Sequence, residues 1–242
     1  MTLTIRGFLV LMSMMATTVT AVTRAQDAIP PADLEAKEPG WVAITENDLV
    51  DVNGNPDTWT WQEDGTLHCT GNPVGVIRSK KQYKNFELVL EWCHRREGGN
   101  SGVFVWTTEA SLGRIKPGQL PQGIEVQVLD HGYTSQYEKS SGKKADWFTT
   151  HGDVFPVGVR MTPYPPVAPD GQRSFPTKQV SKGVNEWNRY FIRANNGEVR
   201  LWVNGEMVSG GKDCDPSSGY LCFESEGSPI DFRGIKLREL PE

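Results

Sequence analysis

No stretch of the chain offers the roughly 20 uninterrupted apolar residues that a membrane-spanning helix needs. The one apolar run, Phe8 to Val22, is broken by Thr17, Thr18 and Thr20, so no membrane anchor is expected. Basic clusters are equally scarce: none is longer than Arg95-Arg96 or Lys143-Lys144, and the formal net charge is -5. That balance argues against nucleic acid as a partner, because such binding draws its affinity from many neutralised phosphates. Cysteine is limited to four residues, none in the close Cys/His spacing of a zinc site and none placed after the apolar run as a lipoprotein anchor. Also missing are the 3.6-residue apolar period of an amphipathic helix and any internal repeat.

What is present begins with an export signal. Arg6 supplies the positive start, Phe8 to Val22 the apolar segment, and Thr23-Arg24-Ala25 a cleavage site. Residues 1–25 are therefore expected to be a signal peptide cleaved near Ala25, leaving a periplasmic or secreted protein. Residues 26–40, with Pro30, Pro31 and Pro39, read as a linker, and residues 41–242 as one domain. Outside the cytoplasm the cysteines meet oxidising conditions. Cys214 and Cys222 flank the turn Asp215-Pro216-Ser217-Ser218-Gly219 and are the expected disulfide. Cys69 and Cys93 form either a second bridge or two buried thiols.

The apolar pattern of the domain has a period of two. FELVLEWCH, Phe86 to His94, sets Phe86, Leu88, Leu90 and Trp92 against Glu87, Val89, Glu91 and Cys93. In GIEVQVLD, Gly123 to Asp130, Ile124, Val126 and Val128 fall on one face and Glu125 and Gln127 on the other. Turn signals at Asp64-Gly65, Asn195-Asn196-Gly197 and Asn204-Gly205 separate further strands. The count, about eleven or twelve strands, predicts an all-β fold: a two-sheet antiparallel sandwich of jelly-roll type. Two segments stand apart. The polar stretch His131 to Trp147 reads as a long loop, and the Pro-rich stretch Met161 to Phe175 as an irregular excursion.

Sugar-binding sheets combine aromatic faces, which stack on the ring, with carboxylates and amides that bond its hydroxyls. On that chemistry Glu125 and Gln127 lead, with Asn100, Trp106 and Asp130 near them in sequence. An ordinary solvated face would look the same. Glu125, Gln127 and Asp130 also approximate the ExDxxE spacing of retaining glycosidases, whose two carboxyls stand about 5 Å apart. Here the middle acid is Gln, and Asp130 has the parity of the opposite face unless a bulge intervenes. His151 and Asp153, in THGDVF, form a second acid–base pair, and Glu224 and Glu226, in FESEG, a third. Arg160 and Arg233 are candidates for orienting an oxyanion or carboxylate, although structural ion pairs are the commoner use of such arginines.

Taken together, GNSGVFVW at Gly99 to Trp106, GIEVQVLD, EWNRYFIRA, LWVNGEMV, GYLCFESEG and IDFRGIKLREL resemble the 3-keto-disaccharide hydrolase family, over Gly40 to Leu240. The resemblance implies a concanavalin A-like jelly roll of the lectin and glucanase kind, a carbohydrate partner, and cleavage of 3-keto-glycosides. A ketone at carbon 3 acidifies the proton on carbon 2. A base removes it, the enediolate expels the group on carbon 1, and water adds back. The expected catalytic residues are Glu125, His151 and Asp153, with Glu125 or His151 as the base. Asn100, Ser101, Trp106, Gln127, Asp130, Arg160 and Glu224 are the expected substrate-binding set. The chain departs from the family at Trp106, where many members carry Arg, and in the HGD segment. The sequence shows no metal motif; Glu125, Asp130, His151 and Asp153 are the donors open to a divalent cation. A non-catalytic carbohydrate-binding module and a retaining endoglucanase are the alternatives.

Overall fold

The computed structural model describes residues 31–242, so the expected signal segment lies outside the described residues. In chain order the strands are β1 (Val42–Ala43), β2 (Leu49–Asp51), β3 (Trp59–Trp61), β4 (Leu67–Cys69), β5 (Gly75–Tyr83), β6 (Phe86–His94), β7 (Asn100–Thr107) and β8 (Gly123–Leu129). They continue as β9 (Val154–Val157), β10 (Arg160–Pro163), β11 (Asn188–Asn195), β12 (Glu198–Val203), β13 (Glu206–Asp215), β14 (Gly219–Ser225) and β15 (Ile230–Glu239). Two α-helices interrupt them, α1 (Glu109–Leu112) and α2 (Gly132–Ser141), along with one 3-10 turn at Glu46–Asp48. No helix of the described residues is long and apolar enough to cross a membrane.

The strands form two antiparallel sheets, as the period of two predicts. One has nine strands, in the order β10-β13-β12-β11-β6-β15-β4-β3 with β1 paired to β15; the other has six, in the order β2-β5-β14-β7-β8-β9. Side chains that alternate inward from both sheets make the core. β6 contributes Phe86, Leu88, Leu90 and Trp92, and β8 contributes Ile124, Val126 and Val128, all at most 1% exposed. Trp92 meets Tyr190 edge to face at 5.4 Å, and the Tyr190 hydroxyl donates to the Gln127 carbonyl at 2.8 Å, tying the two sheets together behind β8. On the far side of the nine-stranded sheet, Val89, Phe191 and Trp202 are covered by Leu34, Ala36 and Trp41.

Three expectations are corrected. All four cysteines are free and buried, so the expected Cys214–Cys222 disulfide is absent and, of the two alternatives for Cys69 and Cys93, the buried thiols hold. Cys69 and Cys93 flank β15 on either side, opposite Ile230 and Asp231 respectively, so an intervening strand separates them and adjacent parity turns them to opposite faces. Cys214 faces the core from the nine-stranded sheet, whereas Cys222 sits on the outer face of the six-stranded one, a geometry no disulfide spans. Gly132–Ser141, expected as loop, is helical, and Gly142 ends it in the left-handed conformation at φ 68°. None of its residues is buried, so no apolar period marks it. At the start of the Pro-rich excursion, Arg160–Pro163 pairs with β13 as an edge strand, the position where proline is tolerated.

Candidate active site on the outer face of the six-stranded sheet

Strands β14, β7 and β8 lie side by side, and their alternate residues face away from the core. Phe104 stands opposite Glu125 on one side and Cys222 on the other; Gly102 is opposite Gln127; Asn100 is opposite Leu129 and bridges to Glu226. The glycine creates the space. A Cβ at Gly102 would come within 2.6 Å of Glu224 Oε2 and 2.8 Å of Glu125 Oε1, so these two carboxyls converge over a position that only hydrogen can fill. Above them lies a cavity of about 190 Å³, with Glu125, Gln127, Glu224, Glu226 and Asn100 at its base. Phe155 and Arg173 form one wall; Tyr133, Trp147 and Phe148, from α2 and the segment after it, form another; Leu120 and Leu129 complete it.

The electrostatics are those of crowded acids. Glu125 is 6% exposed and Glu224 0%. Burial, reinforced by the charge of Glu226 and opposed by Arg173, pushes the Glu125 carboxyl up to about 8. Glu224 is raised well above the ordinary range by burial and then by Glu125 and Glu226. Glu226 is also raised by burial, with the bond donated by Asn100 opposing. Among the described residues no N–H group donates to either Glu224 oxygen. Both Glu224 oxygens are buried with no hydrogen-bond partner among the described residues, an environment that favours the neutral carboxyl.

One cation faces these acids. Arg173, 7% exposed, donates from Nη1 to Gln127 Oε1 at 3.1 Å and to Asp153 Oδ2 at 3.3 Å. Its guanidinium lies 3.4 Å from the Phe155 ring centroid and 5.2 Å from that of Trp147. Gln127 Nε2 in turn donates to Asn100 Oδ1 at 3.0 Å and to the Ser101 carbonyl at 3.1 Å, so arginine, amides and Glu226 form one connected network. Asp153 is fully buried behind Arg173. Burial pushes its carboxyl up to about 6, against the donors Thr149 and Arg173.

Five sequence candidates meet in this cavity: Glu125, Gln127, Asn100, Glu224 and Glu226. Asp153 does not line the cavity and accepts from Arg173, which does. The others stand elsewhere. Trp106 is fully buried in the core between the sheets, its Nε1 donating to the Lys84 carbonyl at 2.8 Å, and has no face for a sugar. Ser101 has the inward parity and donates to the Glu224 carbonyl at 2.7 Å, fixing the backbone between β7 and β14. Asp130 turns off the floor and accepts from the amides of Gly98 at 2.7 Å and Gly132 at 2.9 Å, which removes it as the partner acid of a retaining endoglucanase. His151 does not line the cavity. Its Nδ1 is 2.7 Å from Ser181 Oγ and its ring 4.8 Å from that of His131. Arg160 lies on the edge strand of the other sheet, paired with Asp215 at the surface.

Glu125, Asp130, His151 and Asp153 accordingly do not converge as cation ligands, and no group of three His, Cys, Asp or Glu among the described residues is arranged to hold a metal. The residues that sequence reasoning missed are Arg173, Phe155, Tyr133, Trp147 and Phe148. Arg173 is the lone basic residue of the Pro-rich excursion, and Trp147-Phe148 is a tandem of aromatics closing a polar stretch; those were the available signals.

Two solved proteins from Parabacteroides distasonis ATCC 8503, each described as a candidate glycosyl hydrolase, share this fold. One is 21% identical with a TM-score of 0.62, over 88% of this chain and 99% of its own. The other is 22% identical with a TM-score of 0.56, over 83% and 99%. The carbohydrate-binding module CBM66 from Bacillus subtilis is similar at 12% identity and a TM-score of 0.52, over 79% and 96%. No curated protein matches the sequence. The pattern of the 3-keto-alpha-glucoside-1,2-lyase-like domain matches residues 39–238, which is nearly the whole described chain. With that match, this carbohydrate-active jelly-roll protein belongs to the 3-keto-alpha-glucoside-1,2-lyase-like family.

Proposed function

We propose that the protein cleaves 3-keto-glycosides by removing the proton on carbon 2, eliminating the group on carbon 1 and hydrating the product. The observation that carries this reading is the grouping of three carboxyls and one buried arginine in a single small cavity. At about 190 Å³ it is smaller than the roughly 300–1,000 Å³ of sites for larger ligands, which suits one sugar ring and not a polysaccharide chain.

Glu125 is the base. Its raised proton affinity makes its ionised form a stronger acceptor than an ordinary carboxylate. As it takes the proton from carbon 2, the freed electron pair forms the C2–C3 double bond and moves the ketone π electrons onto oxygen 3. Arg173, the cation of the cavity, stabilises that oxygen. When the ketone re-forms, the pair shifts to C1–C2 and the C1–O bond breaks. Glu224, held neutral, gives its proton to the departing oxygen. Water then adds at carbon 1 and a proton returns to carbon 2, which completes net hydrolysis. Phe155 and the half-exposed Trp147 supply apolar faces for the ring. The sequence of residues 1–25 supports placing this activity outside the cytoplasm, in the periplasm or the medium.

The test is a 3-keto-α-glucoside carrying deuterium at carbon 2, incubated with and without chelator. Elimination predicts product, a primary isotope effect and loss of the label to solvent. Cleavage with the label retained and no isotope effect would overturn the route. Binding without product under any condition would instead identify a non-catalytic carbohydrate-binding module.

A further inference from the structure

Leu120 borders two concavities. On one side it closes the acid cavity; on the other it borders an open depression of about 560 Å³, whose remaining sides are Ser111, Arg114, Ile115, Gln119 and Gln122. Both lie over the same face of the six-stranded sheet. Leu120 and Ile115 pack against Phe104 and its apolar neighbours, and Phe104 is the residue directly opposite Glu125. A ring seated on the acids fills its cavity, so the substituent on carbon 1 must leave it, and the depression beyond Leu120 is the adjoining space.

The depression is lined by donors without a matching acid. Glu109, the acid of α1, turns instead to a separate concavity with Asp51 and Arg78. Gln119 uses its Oε1 to accept from the Lys116 amide, which leaves its NH₂ group free to donate outward. Arg114 is exposed. Every other described arginine donates to a carboxylate or a carbonyl. Arg114 alone among the described arginines has no such partner. In a chain of net charge -5 an arginine left unpaired beside a recessed surface is a ready partner for a ligand anion.

We propose that this depression is the aglycone subsite and that it takes a leaving group bearing a carboxylate, bound by Arg114 with Gln119. The inference rests on the elimination reading above and adds the class of substrate.

The experiment compares two 3-keto-α-glucosides, one with a 4-carboxyphenyl and one with a 4-carbamoylphenyl aglycone, in the wild type and in Arg114→Gln. Because a hydrogen bond to a charged group contributes about 1.5 kcal/mol, the ratio of kcat/KM for acid over amide should fall about tenfold in the variant. The change should appear in KM, and added salt should shrink the ratio in the wild type. An equal loss on both substrates, or an unchanged ratio, would overturn the subsite. Turnover of neither glycoside by the wild type overturns the elimination reading itself, and the subsite with it. Arg114 is exposed on a loop, so the variant folds as the wild type does.

Discussion

Replacing Gly102 by alanine tests whether the convergence of Glu125 and Glu224 is the working centre. Gly102 lies in the extended strand β7 without a positive φ, so alanine brings no backbone strain. Its Cβ would stand 2.6 Å from Glu224 Oε2 and 2.8 Å from Glu125 Oε1, where ordinary contact begins at 3.4 Å; the carboxyls must retreat by about 0.8 Å and 0.6 Å. The space open to them is the cavity above, so retreat takes both carboxyls off their positions at its base. Overpacking of this kind costs about 1–3 kcal/mol. For a domain of this size that corresponds to a fall in Tm of roughly 2–12 °C. Displacing reacting groups by about 1 Å costs on the order of 100-fold in rate. Thermal melting and turnover of a 3-keto-α-glucoside should therefore both drop, the second far more steeply than the loss of folded protein explains. An alanine variant that turns over at the wild-type rate would refute the assignment of chemistry to these two acids, whatever its Tm.

The remaining predictions concern the same residues and the corrected ones. Because burial holds Glu125 at about 8, above its ordinary value of 4.5, the fold binds that proton more tightly than the unfolded chain does. Its contribution to stability is complete below about 4.5 and is lost as pH rises through about 8. Denaturant titrations across that range should show Glu125→Gln gaining on the wild type as pH rises; parallel pH profiles would sink the claim. Trp106→Ala removes a fully buried ring and should cost about 3–5 kcal/mol in stability. Weaker sugar binding by that variant at unchanged Tm would show that Trp106 is a binding residue after all. With all four thiols free, a reducing agent should leave the melting curve unchanged; a lower Tm in reductant would reveal a bridge.

The site was half legible in the chain. Alternation along β8 placed Glu125 and Gln127 on the face opposite Ile124, Val126 and Val128, because successive strand residues must point to opposite sides. The same parity put Asp130 in doubt as a partner acid, and its side chain caps loop amides. Trp106 misled because an aromatic at the end of a sugar-lectin-like strand has the same composition whether it faces solvent or the core. The order of strands decided the outcome there: Trp106 points between the sheets.

What the sequence by itself determined is the all-β class, the inward faces of β6 and β8, and the family, since local period and motif order are written along one dimension. What only the tertiary structure decided is which distant residues share a cavity. Glu224 and Glu226 meet Glu125 because β14 and β8 lie on either side of β7. Arg173 reaches them from a Pro-rich segment with no period to read. The cysteines stay apart because strand β15 runs between one pair and the sandwich divides the other. Each of these follows from strand pairing between segments far apart in the chain, which no local pattern encodes.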